Sequence, residues 1–345
     1  MTPDPFGDVV RLSSPADIIA LIPYMLGFHP ADSLVIVAMR ARRPVLNVRV
    51  DLPGPGPGRP SAVEVRDLLR QVGRMVTDQA ADAAILVGYG PRARVAPMLK
   101  RASALLTRRG VPLFDVLRVT NGRYWSYQCA NKACCPPEGT PFDIASSPVA
   151  VTAAVAGLVA LPDREALVSQ VDPVPPEAQL DMWDAVGRAD ERLLALADSA
   201  DLADDPVGAL RDAADAALDA ALAECRAGAA LRDDDLAWLC VLASLLPVGE
   251  RLWQRVLDAS ADLSTHRVLW LDALRRAPMD LVPAVGCLAS FAALQDGDGA
   301  LGAAALDRVL AVDADYPPAR VLDAAFAAGR RPAALNPLEL SDPHR

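Results

Sequence analysis

The hydrophobic period changes once along this chain, and that change limits the folds open to it. Up to about residue 165, apolar runs of strand length alternate with amphipathic helical patterns. Beyond about residue 177, every apolar pattern has helical spacing, broken by Asp-rich or Gly/Pro turns. Strands bury alternate residues and helices bury one stripe, so the two halves need different partners for their apolar faces. The pattern predicts an α/β domain with a mixed sheet over 1–165, followed by an all-α, helical-repeat-like part over 177–335. Residues 336–345 read as a disordered tail. The length of 345 residues suits this division, since domains run to roughly 100–200 residues. Charge divides in the same region. Residues 1–150 hold 18 Lys and Arg against 12 Asp and Glu, and the remainder holds 16 against 32.

Local signals place the elements of the first half. Ser14, Pro15 and Asp17 open a helix as N-cap, first helical residue and first-turn acid. Pro23 is expected to kink or end that helix, and Gly27 to close it. "SLVIVAM" reads as a buried strand, with "PVLNVRVDL" as its hairpin partner across "RARRP". "PGPGPGRP" (53–60) is a loop by composition. Ser61 and Glu64 form a capping box before an apolar helix face carrying Val65, Leu68, Leu69, Val72 and Val76. "AAILVGYG" is a strand that runs into glycines, and the following helix stops at Gly110. Asn121-Gly122 is the strongest hairpin signal in the chain. "VDPVPPEAQ" reads as a linker to the helical half.

The helical half carries a faint internal echo. "CVLASLL" (240–246) resembles "CLASFAA" (287–293), and "VLDAS" with "VLWLDAL" resembles "VLAVD" with "VLDAAF". The offsets, 46 and 53 residues, differ, as in an imperfect stack of helix pairs. "GALGAAALDRVLAVDADYPPARVLDAA" (299–325) resembles the second helix of a tetratricopeptide unit and the start of the next. Gly302 stands for the early small residue, and the usual proline is displaced to Pro317.

Three stretches could carry chemistry. In "YWSYQCANKACCPPEGTPFD" (124–143) the cysteines have the spacing Cys-x4-Cys-Cys. Structural zinc takes four ligands, often in paired motifs, and no second cysteine pair is present. Cys129, Cys134 and Cys135 would need a fourth group, and His29 is the only histidine of the first half. The same residues admit a short-loop disulfide, a reactive thiol, or buried sulfur in a turn fixed by Pro136, Pro137 and Gly139. In "VGYGPRAR", Gly88 and Gly90 form a strand-to-helix turn with Arg92 and Arg94 at the start of the helix. Such turns bind anions in α/β sheets, but this one lacks the third glycine of a dinucleotide fingerprint and the Gly-Lys-Ser/Thr of a phosphate loop. In "GFHPADSLV", His29, Asp32 and Ser33 are close in sequence, which a turn explains without a catalytic triad. Cys225, Cys240 and Cys287 lie on apolar helical backgrounds and read as core.

Taken together, "LSSPADIIALIPYMLGFHPADSLVIV" (12–37), "YWSYQCANKACCPPEGTP" (124–141) and residues 299–325 resemble an actinobacterial family defined as a domain of unknown function, number 4192 in its series. The resemblance implies a cytoplasmic actinobacterial protein and points at the first two motifs. It supplies no reaction. The apolar runs "IIALIPYMLGF" and "VAVTAAVAGLVALP" fall short of the roughly 18–20 residues of a membrane span, so no membrane partner is expected. Nucleic acid is also not expected, because the arginines of the basic half are scattered and no binding motif accompanies them. The sequence is read as a non-enzymatic cytoplasmic binding or regulatory protein. Its acidic helical part would receive a protein or peptide, and no cofactor is required. The alternative is a thiol- or zinc-dependent enzyme or redox sensor using the cysteine loop.

Overall fold

The computed structural model describes residues 14–54, 60–197 and 205–329. The expected tail, 336–345, lies outside them, as do residues 330–335 and the centre of the 53–60 loop. The chain divides into two compact units. Among the described residues one comprises 14–166 with Ala327–Gly329, and the other is Leu167–Phe326. The first is the mixed α/β unit. The second is built from consecutive helices, as the change of period requires.

In the α/β unit, α1 (Pro15–Leu26) is followed by the hairpin β1 (Ser33–Arg40) and β2 (Arg43–Asp51). Next come α2 (Ala62–Asp78), β3 (Ala83–Tyr89), α3 (Arg92–Arg108), β4 (Leu113–Thr120), β5 (Arg123–Ser126), β6 (Thr140–Pro141), α4 (Pro148–Val155) and α5 (Arg164–Val168). The sheet order is β2-β1-β3-β4-β5-β6, and β3 with β4 is the parallel pair, joined through α3. Ser14 and Asp17 cap α1 reciprocally, and Ser61 and Glu64 do the same for α2. Asn121 and Gly122 both have positive φ in the β4–β5 turn, as the Asn-Gly pair predicts. Pro23 does not end α1. The helix continues to Leu26 and closes on left-handed Gly27.

β1 and β3 are buried on both faces, which is why they read as continuous apolar runs. Leu34, Ile36 and Leu86 pack beneath Val65, Leu69 and Val76 of α2 and Val95, Met98 and Leu106 of α3. On the opposite face Val35, Val37, Ile85 and Val87 are buried as well. Across the β4–β5 pairing, Arg118 lies opposite Trp125, with its guanidinium carbon 3.5 Å from the ring centroid.

The helical unit contains α6 (Pro176–Ala197), α7 (Pro206–Arg226), α8 (Asp233–Ser244), α9 (Leu246–Asp258), α10 (Leu263–Arg276), α11 (Val282–Gln295), α12 (Gly299–Val312) and α13 (Pro317–Ala327). A ladder of arginine contacts aligns α7 with α9. Arg211 donates to the Pro247 carbonyl at 3.1 Å, Arg251 to Asp215 at 2.9 Å, and Arg255 to Asp219, each across 36 residues. A constant offset means that the two helices run parallel, as equivalent helices of successive pairs do. At Gly302 the α11 and α12 backbones come together, because a Cβ there would lie 2.9 Å from the Ser290 carbonyl oxygen. The segment read as a linker is tied down within this unit. Val174 N donates to Arg275 O at 2.9 Å, and Arg308 donates to Val171 O.

No single helix among the described residues is long and apolar enough to cross a membrane.

Candidate functional site

The cysteine loop leaves the end of β5 and returns to pair with the same strand as β6. Three interactions hold it there. Trp125 Nε1 donates to the Pro137 carbonyl at 2.9 Å, and Arg123 donates to the Gly139 carbonyl at 2.8 Å. Gly139 itself has φ +84 and lies so close to the indole that a Cβ would stand 2.5 Å from Trp125 Cε2. Only glycine fits both conditions.

Within the loop, Asn131 makes one tight turn. Its carbonyl accepts from the amides of Cys134 and Cys135 at 3.1 and 2.8 Å, while its side-chain Oδ1 accepts from Ala133 N at 2.9 Å. That turn lets adjacent cysteines share a focus. The sulfurs of Cys129, Cys134 and Cys135 all lie within 4.8 Å of one another, and all three are free thiols. Their electrostatics differ. Hydrogen bonding to Cys135 and to the Asn131 backbone holds the Cys129 thiol below the usual range. Burial, with the neighbouring sulfurs adding to it, pushes Cys135 up to about 12. The two thiols are thus shifted in opposite directions. Asp115, the nearby acid, is spent elsewhere, since its Oδ1 accepts from Val116 N at 2.7 Å and from Ser126 Oγ at 2.8 Å.

His29 is not a member of the converging group. Its amide donates to Leu161 O at 2.9 Å just before β1. β3 and β4 separate β1 from β5, so three strand spacings, about 14 Å, lie between the two segments. The glycine turn is occupied by its own chain. A Cβ on Gly88 would meet Val95 Cγ1 at 2.2 Å, so that glycine lets α3 lie close on β3. Gly90 N donates to Val119 O at 2.9 Å, and Arg94 pairs with Asp32 at 2.8 Å. Arg92 is exposed. Gly88 and Gly90 hold β3 against α3 and β4, and Arg94 ties α3 to Asp32 at the start of β1. They also join the "GFHPADSLV" motif to "VGYGPRAR", a link that neither stretch shows alone.

A second candidate lies on α6, which the sequence showed only as one of the helix-period segments that follow the linker. Met182, Ala185 and Ala189 face inward, and Arg192 stacks 4.2 Å over the Trp238 ring of α8. The opposite side carries Leu180, Trp183 and Leu194, which are 65%, 48% and 68% exposed. Leu180, Gly187 and Leu194 fall on one heptad row, and the adjacent row is Glu177, Asp184 and Glu191, all exposed. The exposed row was visible in the sequence as spacing, but spacing does not say which of two stripes faces the core.

A family model described as "Domain of unknown function (DUF4192)" matches residues 15–333. No curated protein and no solved structure matches the chain. The chain belongs to the DUF4192 family.

Proposed function

We propose that this member of the DUF4192 family is a non-enzymatic binding protein whose helical unit receives a basic amphipathic helix on α6. The observation that carries the reading is the outward pair Leu180 and Leu194, two heptads apart with Gly187 between them and Trp183 beside them, bordered by Glu177, Asp184 and Glu191. A heptad row of apolar side chains accepts a partner helix with matching spacing, and flanking charges select its sign. Acidic flanks favour lysine and arginine on the partner.

The helical unit is read as tetratricopeptide-like. The parallel offset of 36 residues between α7 and α9 is close to the period of that repeat. Gly302 supports the reading, since it brings two helices of a pair into backbone contact. A cytoplasmic, actinobacterial setting is favoured by the free thiols and by a composition in which Lys100 and Lys132 are the only lysines among 34 cationic residues.

The test uses the full chain and a fluorescent synthetic helix with leucines at heptad spacing and lysines on its flanks. Saturable binding is expected. The double change Leu180→Asp with Leu194→Asp should weaken it by at least about tenfold, or roughly 1.4 kcal/mol. A glutamate version of the peptide should not bind. Lysine-peptide binding unchanged by the double substitution would refute the reading, as would no binding at all.

A further inference from the structure

We propose that Cys129, Cys134 and Cys135 form a binding site for one thiophilic divalent cation of the zinc class, held by three sulfurs with an exchangeable fourth position. The site stands apart from α6 and does not depend on the docking reading.

Geometry comes first. Tetrahedral zinc with Zn–S bonds of about 2.3 Å places its sulfurs about 3.8 Å apart. The three sulfurs already lie within 4.8 Å of one another, so each pair needs to approach by about 1 Å or less to reach that spacing. A disulfide requires two sulfurs to meet and has no use for a third. Here all three converge, although two come from adjacent residues whose side chains would ordinarily diverge. The Asn131 turn is what overcomes that divergence.

Preorganisation comes second. The loop is anchored at both sides of the cluster: before the cysteines it continues from β5, and after them the carbonyls of Pro137 and Gly139 are held by Trp125 and Arg123 of that same strand. A site fixed before the ion arrives loses little entropy on binding it. The fixing residues are not ligands, and they share one function in keeping the loop on Trp125.

The open position follows from the surroundings. His29 is about three strand spacings away, and Asp115 Oδ1 is committed to Val116 and Ser126. Cys134 is exposed. The fourth ligand is therefore water or a small solute ligand reaching the ion from solvent. On binding, each thiol that ligates releases one proton to solvent, so apparent affinity falls as pH is lowered.

The experiment is a cobalt(II) titration of the reduced, chelator-treated full chain, followed by displacement with zinc. One equivalent should produce thiolate-to-cobalt charge-transfer absorption and the visible bands of a tetrahedral ion, and zinc should abolish both. Cys129→Ser, Cys134→Ser and Cys135→Ser should each weaken uptake by at least about tenfold. Cys225→Ser and His29→Ala should leave it unchanged. Circular dichroism checks that the serine variants fold. A second readout needs no variant: zinc should protect the three loop thiols of the wild-type chain from iodoacetamide. The proposal is overturned by absence of saturable uptake, by a spectrum that survives Cys134→Ser, by loss of uptake in His29→Ala, or by loop thiols alkylated at the same rate with and without zinc.

Discussion

Gly302 and Gly187 allow one substitution to be set against itself. Both are helical glycines, and Gly→Ala in a helix interior is worth about 1 kcal/mol of added stability from propensity alone. At Gly187 on α6 a Cβ meets nothing within 4 Å, so the full gain should appear. At Gly302 on α12 the same Cβ would lie 2.9 Å from Ser290 O, 3.3 Å from Phe326 Cζ and 3.4 Å from Leu294 N. Two of those atoms are backbone of α11, so relief requires the helices to separate rather than a side chain to turn. Inserting a methyl into such a contact costs about 1–3 kcal/mol. The cost offsets or exceeds the propensity gain, and Gly302→Ala should lose about 0–2 kcal/mol net. Urea denaturation of each variant, followed by far-ultraviolet circular dichroism, gives the comparison. Gly187→Ala should move the helical transition to higher urea, and Gly302→Ala should leave it in place or move it lower. If Gly302→Ala stabilises the protein as much as Gly187→Ala does, the close approach of α11 and α12 is wrong, and with it the argument for a tetratricopeptide-like pair.

Two further outcomes follow from single residues. Gly139→Ala places a side chain at φ +84 and 2.5 Å from Trp125, which should cost the loop about 1–3 kcal/mol. Alkylation of Cys129, Cys134 and Cys135, measured by mass spectrometry, should accelerate, and an unchanged rate would contradict the anchoring role of Trp125. His266 is buried in α10, and burial depresses it to about 4, with Asp262 opposing the shift. Between about 6.5 and 4 the unfolded chain binds this proton and the folded chain does not. Stability should therefore be complete above pH 6.5 and fall as pH drops toward 4. His266→Leu should flatten that part of the urea-midpoint profile, and an undiminished slope would assign the proton elsewhere.

Local rules were legible where neighbours in sequence are also neighbours in space. The capping pairs Ser14–Asp17 and Ser61–Glu64, the Asn121-Gly122 turn and the αL residues Gly27 and Gly110 all depend on backbone within a few positions. Of the two effects expected of Pro23, ending the helix does not occur, because propensity is a weak rule inside an element buried along most of its length. The cysteine cluster was half legible. Its spacing allowed two sulfurs to meet, but whether the adjacent third could join depended on the Asn131 turn and on Trp125 pulling Gly139 down.

The sequence by itself determined that a mixed α/β unit precedes a helical one, because the period of the apolar residues states which faces must be buried. It also determined most caps and the hairpin turn. Tertiary structure decided which long-range partners those faces found. It placed two strands between His29 and the thiols, turned Arg94 onto Asp32, aligned α7 with α9 through arginines 36 residues away, and left the Leu180 row of α6 facing outward. Period is a property of adjacent residues, but strand order and helix register are set by how the buried faces pack together.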